Sequence, residues 1–299
     1  MSFAFKLRKS LTNSSITSIP SDSLQAYTVD RIKEKIMEDV AANPDSYDKK
    51  DVEKLTSTSY IRRYMERQKG EEDKTVDMMK KVLKKRKEAN WSEEDESVVP
   101  IEFYKIGACF IYNEDKEGNP VLYMRVKFYR MIPELRKPME DFVVWMMYKA
   151  DEMGAKKGEE YGWTIVFDLT GVSMAQYDLP ELLFLIQTFI DYFPAGLRRV
   201  YVNNIPWIFK PLVSVVLQFI PNEWKGLIKF IKKDEIFKYI EKKNVPKFLG
   251  GTCKKSYREV PEGSRSVKEM AKDHFDTYKV DEKKVEQILK IYEKMFQED

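Results

Sequence analysis

Apolar residues recur at helical spacing in the first third of the chain. From Val29 to Ala42, Ile32, Ile36 and Val40 fall at i, i+4 and i+8, and Asn43-Pro44-Asp45 stops the pattern, which predicts a short amphipathic helix. Asp48 to Gln68 repeats the spacing with Val52, Leu55, Tyr60, Ile61, Tyr64 and Met65, interrupted near Thr56–Ser59. Gly70 closes that segment, and Glu71-Glu72-Asp73 place acids where the dipole of the next helix favours them. Thr75 to Asn90 then carries Val76, Met79, Val82 and Leu83 on one side. Its other side is the run KKVLKKRK, Lys80 to Lys87, expected to be a solvated face, with contact to an anionic surface as the alternative.

The period changes after Val98. Ile106–Tyr112 and Val121–Tyr129 are rich in β-branched and aromatic residues, and NEDKEGNP (113–120) between them predicts a hairpin connection. Pro138–Met153 reads as an amphipathic helix and Gly162–Leu169 as a strand apolar on both faces. Glu181–Phe193 is a very apolar helix ended by Pro194, Arg199–Asn203 a further strand, Glu235–Lys243 a helix, and Val245–Gly251 a closing segment. Strands alternating with helices predict an α/β layer architecture with a largely parallel sheet behind an all-α lead. Lys279–Phe296 predicts a terminal helix with Val285, Ile288, Leu289 and Tyr292 on one face.

One stretch fits neither pattern. Trp207 to Ile220, WIFKPLVSVVLQFI between Pro206 and Pro221, is apolar on nearly every side, unlike a helix on the surface of a soluble protein. It is too short for a bilayer span of about 20 apolar residues, so membrane contact is expected to be peripheral. Lys225 to Arg258 behind it carry eleven Lys or Arg against three acids, a cationic apron in a chain whose net charge is only +3. That small net charge argues against a nucleic-acid binder. A buried core helix and a lipid-touching helix both account for the apolar segment.

Composition removes most chemistry. Two distant cysteines, Cys109 and Cys253, fit free thiols in a reducing, cytoplasmic setting. A single histidine, His274, excludes most histidine-based metal sites, so no metal and no cofactor other than a bound lipophile is expected. Asp168 follows a buried strand and Ser173 lies nearby, but there is no Gly-x-Ser-x-Gly elbow and no phosphate loop. Asp168 is therefore read as a loop-bonding or capping residue, and no catalytic residue is assigned. The opening residues, with three bases and no acid up to Ser18, read as a mobile lead or a weak transit peptide.

Four motifs in register resemble the CRAL-TRIO lipid-binding family. They are Tyr60–Trp91 with Lys85-Arg86-Lys87-Glu88, Trp163–Gly171 (WTIVFDLTG), Tyr192–Phe209 (YFPAGLRRVYVNNIPWIF) and Asn244–Cys253 (NVPKFLGGTC). Asp115–Asn119 and Arg125-Val126-Lys127 are further similar to the CRAL-TRIO region of motile-sperm-domain-containing proteins, whose major-sperm-protein domain and membrane anchor are not expected here. The resemblance implies a helical N-terminal module (29–92) and a lipid-binding domain (93–258) with a sheet floor and a mobile apolar lid, while composition and charge predict a disordered lead (1–28) before them and an acidic helical tail (259–299) after them. It implies a monomer that binds one lipid or small hydrophobic ligand and exchanges it at membranes; a protein-interaction module of the same fold, without transfer, is the alternative.

Alternation along the strands places Tyr123, Arg125, Trp163, Ile165, Phe167, Tyr201 and Asn203 on the pocket floor. The lid is expected to contribute Trp207, Phe209, Leu212, Val213, Val216, Leu217 and Phe219, and Lys225, Lys229, Lys232 and Lys233 are expected to dock on anionic membranes. Ala195 and Asp234 stand where phosphatidylinositol-binding members carry Glu and Lys, which argues against a phosphoinositide headgroup.

Overall fold

The computed structural model describes residues 21–89, 99–158, 161–273 and 281–297. The lead before Ser21, Trp91 and His274 lie outside the described residues. Four helices open the chain: α1 (Ser21–Ala42), α2 (Lys49–Lys54), α3 (Thr58–Arg67) and α4 (Glu72–Ala89). α1 starts eight residues before Val29, so part of the segment expected to be a disordered lead is helical. The break expected near Thr56 separates α2 from α3, and Asp48 caps α2 by accepting from Lys50 N at 2.8 Å.

Then follow α5 (Ile101–Ile106), β1 (Cys109–Glu114), β2 (Pro120–Arg125), α6 (Arg136–Lys157), β3 (Trp163–Asp168), α7 (Leu179–Tyr192) and β4 (Leu197–Asn203). After β4 come the 3₁₀ turn Trp207–Phe209, α8 (Lys210–Val216), α9 (Asn222–Lys225) and β5 (Ile228–Ile231). α10 (Val267–Asp273) and α11 (Glu282–Phe296) close the chain. The helix expected over Glu235–Lys243 is instead two 3₁₀ segments, Lys233–Lys238 and Lys242–Asn244. β5, only four residues long, interrupted by Lys229 and followed by Lys232, was not legible in the sequence.

The strand order β1-β2-β3-β4-β5 follows the sequence; β1 and β2 pair antiparallel and the remaining pairs are parallel. Successive right-handed crossovers in one direction put their helices on one face of such a sheet. α6, α7 and α8 all lie on that face, and the 3₁₀-rich segment 233–258 covers the other. There Tyr239 stacks on Tyr201 at 4.6 Å and Tyr257 on Phe110 at 4.5 Å.

Local polar contacts hold the frame. Asp115 Oδ1 accepts from the backbone N–H groups of Glu117 and Asn119, each at 2.9 Å, and its Oδ2 accepts from Thr164 at 2.7 Å, so the β1–β2 connection is tied to β3. Asp168 accepts from Thr170 Oγ1 at 2.6 Å and Asn203 Nδ2 at 3.1 Å, the loop-bonding role expected for it.

The basic run of α4 is a solvated face only in part: Lys80, Lys81, Lys84 and Lys85 stay partly exposed, but they and Arg86 are engaged in ion pairs. Arg86 is buried and donates to Asp151 of α6 at 3.0 Å and to the Tyr192 carbonyl at 2.8 Å; Lys81 and Lys85 pair with Asp191, and Lys80 and Lys84 with Asp39. The contacts of Arg86, Lys81 and Lys85 fasten the helical module to α6 and α7, whereas those of Lys80 and Lys84 tie α4 to α1. The acidic tail also packs inward, with Val285, Ile288, Tyr292 and Met295 buried in the main core.

Candidate ligand-binding cavity

Two rows of side chains cross the helix-covered face of the sheet. Register aligns Cys109, Met124, Phe167, Val202 and Phe230 in one row, and Ile111, Leu122, Ile165, Val200 and Ile228 in the next. Above the strand C-terminal ends of these rows lies a cavity of about 370 Å³. Small-molecule sites span about 300–1,000 Å³, so this one suits a single-chain or compact lipophile. Its walls are apolar over most of their extent. Phe167, Val200 and Val202 rise from the floor, Phe142 and Val143 come from α6, Leu182, Leu185, Ile186 and Phe189 from α7, and Tyr292 from α11.

The roof is the proline-bracketed segment. Phe209, Leu212, Val213, Val216, Leu217 and Ile220 line the cavity, at the i, i+3, i+4, i+7, i+8 spacing of one helix face. The outer side carries Trp207, 80% exposed, with Ile208, Val215 and Phe219. No residue of α8 is buried and no side chain caps its start, so the roof rests on the cavity without being packed into the core. The segment thus carries large apolar side chains on both faces, one toward the cavity and one toward solvent, the outer ones interspersed with exposed Lys210, Ser214 and Gln218.

The expected floor is found in part. Phe167 and Arg125 are walls; Trp163 and Ile165 lie on the same face but deeper, Trp163 stacked on Phe189 at 5.8 Å. Tyr123, Tyr201 and Asn203 belong to the opposite face, where Tyr123 stacks on Phe110 at 5.5 Å. The Arg125 guanidinium also lies on that side, 3.9 Å above the Phe248 ring. Strands buried on both faces are apolar on both, so alternation fixes which residues share a face but not which face is inward. Of the expected lid residues, Phe209, Leu212, Val213, Val216 and Leu217 line the cavity, whereas Trp207 and Phe219 point outward.

The four apron lysines do not share one surface. Lys225 and Lys232 are exposed, Lys225 donating to Asn222 at 2.8 Å. Lys229 is half-buried on the face away from the cavity, its Nζ 4.7 Å above the Tyr239 ring. The Lys233 side chain lies outside the described residues. Ala195 is packed in the core of the helical module and is not a cavity wall.

One corner of the cavity is polar, and the sequence reading missed it. Asp178 caps α7 by accepting from Glu181 N at 3.1 Å, and it also accepts from Tyr129 at 2.6 Å and pairs with Arg136. Burial opposes charge on Asp178, but Tyr129, the Glu181 amide and Arg136 outweigh it and hold its carboxyl below the usual range. Glu181, a neighbouring wall, is pushed up to about 7 by burial first and then by the Glu140 carboxylate. An acid three residues after an Asp, with Pro between them, is an ordinary helix start, so nothing in the sequence marks Glu181 as a wall residue. Among the described residues no group of three or more His, Cys, Asp or Glu is placed to hold a metal ion, and no helix is long and apolar enough to cross a membrane.

Comparison with known proteins converges on one family. Residues 104–251 match the CRAL/TRIO domain. A CRAL-TRIO domain-containing protein of Schizosaccharomyces pombe is 31% identical over 148 residues, 49% of this chain and 33% of that protein. The phosphatidylinositol transfer protein CSR1 of Eremothecium gossypii is 25% identical over 167 residues, 55% of this chain and 38% of that protein. The chain thus spans little more than a third of the length of these relatives. Among solved structures, Sfh5 superposes with a TM-score of 0.62 at 14% identity, over 88% of this chain and 100% of that one, which shows the shared fold.

Proposed function

From a chain whose residues 104–251 match the CRAL/TRIO domain, we propose a carrier that encloses one lipid or small lipophile beneath the Trp207–Ile220 roof and exchanges it at membrane surfaces. The observation that supports this reading is the apolar cavity of about 370 Å³ closed by a segment with large apolar side chains on its inner and its outer side. Burial of a hydrocarbon chain gains about 0.8 kcal/mol per methylene, so a single chain suffices to hold a ligand there. When the roof lifts, Trp207, Ile208, Val215 and Phe219 enter the bilayer interface while the inner face releases the ligand. Exposed Lys225 and Lys232 add attraction to anionic lipid, and membrane association is peripheral and transient.

The chain acts as a binding protein in the cytoplasm, without turnover. The name of the Eremothecium relative supports lipid transfer as the class of activity. Phosphatidylinositol itself is not the proposed cargo, since the polar corner is rich in carboxylates. The finer kinship with motile-sperm-domain-containing proteins rests on Asp115–Asn119 and Arg125–Lys127, of which Asp115 and Asn119 also have a local task in the β1–β2 turn. A protein-docking role for the same fold has no need of a cavity, which favours the carrier.

Native mass spectrometry of the purified chain, followed by organic extraction, tests the proposal. One lipophile per chain, and protein-dependent movement of that lipophile between vesicles, are expected. A chain that carries nothing and fails to bind the neutral dye Nile red would sink it.

A further inference from the structure

The polar corner of the cavity specifies a headgroup class. Glu181 is 7% exposed, stands among the cavity walls, and has an oxygen, Oε2, without a hydrogen-bond partner. The nearest cation, Arg136, approaches that oxygen only to 3.8 Å and is engaged by Asp178. A buried acceptor left unsatisfied carries a desolvation cost that a bound donor removes. Neighbouring donors are occupied: the Tyr129 hydroxyl donates to Asp178, and Arg130 Nη1 donates to the carbonyls of Lys127 at 2.6 Å and Tyr129 at 2.9 Å.

The charges around this corner select the donor. Glu140 and Arg136 face Glu181 from α6, Asp178 faces it from the start of α7, and Tyr129, Arg130 and Tyr177 complete the surrounding wall. Three carboxyl groups against Arg136, which is paired, and Arg130, which is partly committed, disfavour a phosphate or carboxylate headgroup. A hydroxyl or an amine offers Glu181 the hydrogen it lacks.

We propose that this corner is a subsite for the hydroxyl or amine end of a single-chain lipophile, with Glu181 as the group that accepts its hydrogen bond. The inference rests on the carrier reading of the cavity and deepens it by naming the ligand class. Because Glu181 titrates near neutrality, the neutral acid and the carboxylate are both accessible: an alcohol pairs with either, an amine with the carboxylate. Binding of an amine therefore strengthens from pH 6 to pH 8.

Displacement of Nile red from the full chain separates the two claims. Hexadecanol, hexadecylamine, hexadecyl methyl ether and palmitate, delivered from cyclodextrin, share one chain and differ only at the polar end. Hexadecanol and hexadecylamine are expected to displace the dye about tenfold more strongly than the ether, with palmitate weakest. Glu181→Leu should bring alcohol and ether level, and Glu181→Gln should keep the alcohol preference while removing that for the amine. The ratio is read within each variant, so a general loss of affinity cancels. Nile red binding by the wild type with no difference between alcohol and ether overturns the subsite and leaves the carrier standing. Palmitate as the best competitor, or an alcohol preference that survives in Glu181→Leu, overturns it as well. Failure of Nile red to bind sinks the carrier itself.

Discussion

Arg63 of α3 donates to Asp151 of α6 through Nη2 and Oδ1 at 2.7 Å, with both side chains almost wholly buried. Arg86 of α4 reaches the other oxygen of the same carboxylate at 3.0 Å. One buried anion therefore clamps two helices of the N-terminal module to the sheet domain. Burial raises the cost of the Asp151 charge, but the two guanidinium groups outweigh it and hold its carboxyl below the usual value of 3.8. Removing one partner from such a group leaves buried charge unmatched, so Asp151→Ala is expected to lower stability by about 3–5 kcal/mol in urea denaturation. A depressed carboxylate contributes stability that is complete above its unfolded pKa and lost as pH falls through its folded one. Denaturation midpoints should therefore show the full contribution of this clamp, without pH dependence from it, between pH 5 and 7, and lose it only in stronger acid.

Gly196 lies against the same clamp. A Cβ there would sit 1.7 Å from Asp151 Oδ1 and 2.3 Å from Arg63 Nη2. Gly196→Ala is accordingly expected to destabilise by roughly 1–3 kcal/mol, because the clamp must shift to admit one methyl group. Combined with Asp151→Ala the loss should be less than additive, as a thermal-denaturation double-mutant cycle would reveal.

These contacts explain what was and was not legible in the sequence. Helices with an apolar stripe, such as α4 with Val76, Met79, Val82 and Leu83, announce themselves, and so do strands as apolar as WTIVFD. The ion network was hidden because Lys80–Lys87 and Asp151 are far apart in sequence and each reads as solvated. Tyr201 and Val202 are adjacent, β-prone and apolar in body, so no local signal tells that Val202 faces the cavity and Tyr201 the aromatic layer over Tyr239. The polar corner joins Tyr129, Arg136 and Glu181 through the tertiary fold alone. The roof, in contrast, was readable because ten of its fourteen residues are large and apolar, more than one core-facing stripe requires.

The roof predicts a separation of stability from membrane binding. Phe209 is buried at the cavity and Trp207 is exposed. Phe209→Ala should reduce Nile red affinity and lower stability by about 1–3 kcal/mol, below the roughly 3–5 kcal/mol of a fully packed core aromatic because one side of the ring meets empty space. Trp207→Ala should leave the denaturation midpoint within about 0.5 kcal/mol. The same change should weaken co-sedimentation with vesicles, where an indole at the interface contributes apolar area.

Among the basic residues, exposure should rank the effect. Lys225→Glu and Lys232→Glu are each expected to weaken binding to phosphatidylserine vesicles, by about 1 kcal/mol for each basic residue lost near the surface. Lys229→Glu should do less, since its ammonium lies over Tyr239 on the face away from the roof. Equal losses at Lys229 and Lys225 in vesicle flotation would place the docking surface elsewhere.

Glu181 predicts a pH dependence of the opposite sign to Asp151. Its folded-state pKa, about 7, lies above the usual 4.5, so the folded chain binds a proton that the unfolded chain releases between those values. In that window stability falls as pH rises, and above pH 7 the full cost of burying the carboxylate is present. Glu181→Gln removes this cost. At pH 8 the variant should be more stable than the wild type by on the order of 2 kcal/mol, while near pH 4 the two should coincide because both carry a neutral group. The check is a pair of urea titrations at the two pH values. A variant equally stable to the wild type at pH 8 would mean that the carboxylate is solvated in the ligand-free chain, and that the polar corner admits water before it admits a ligand.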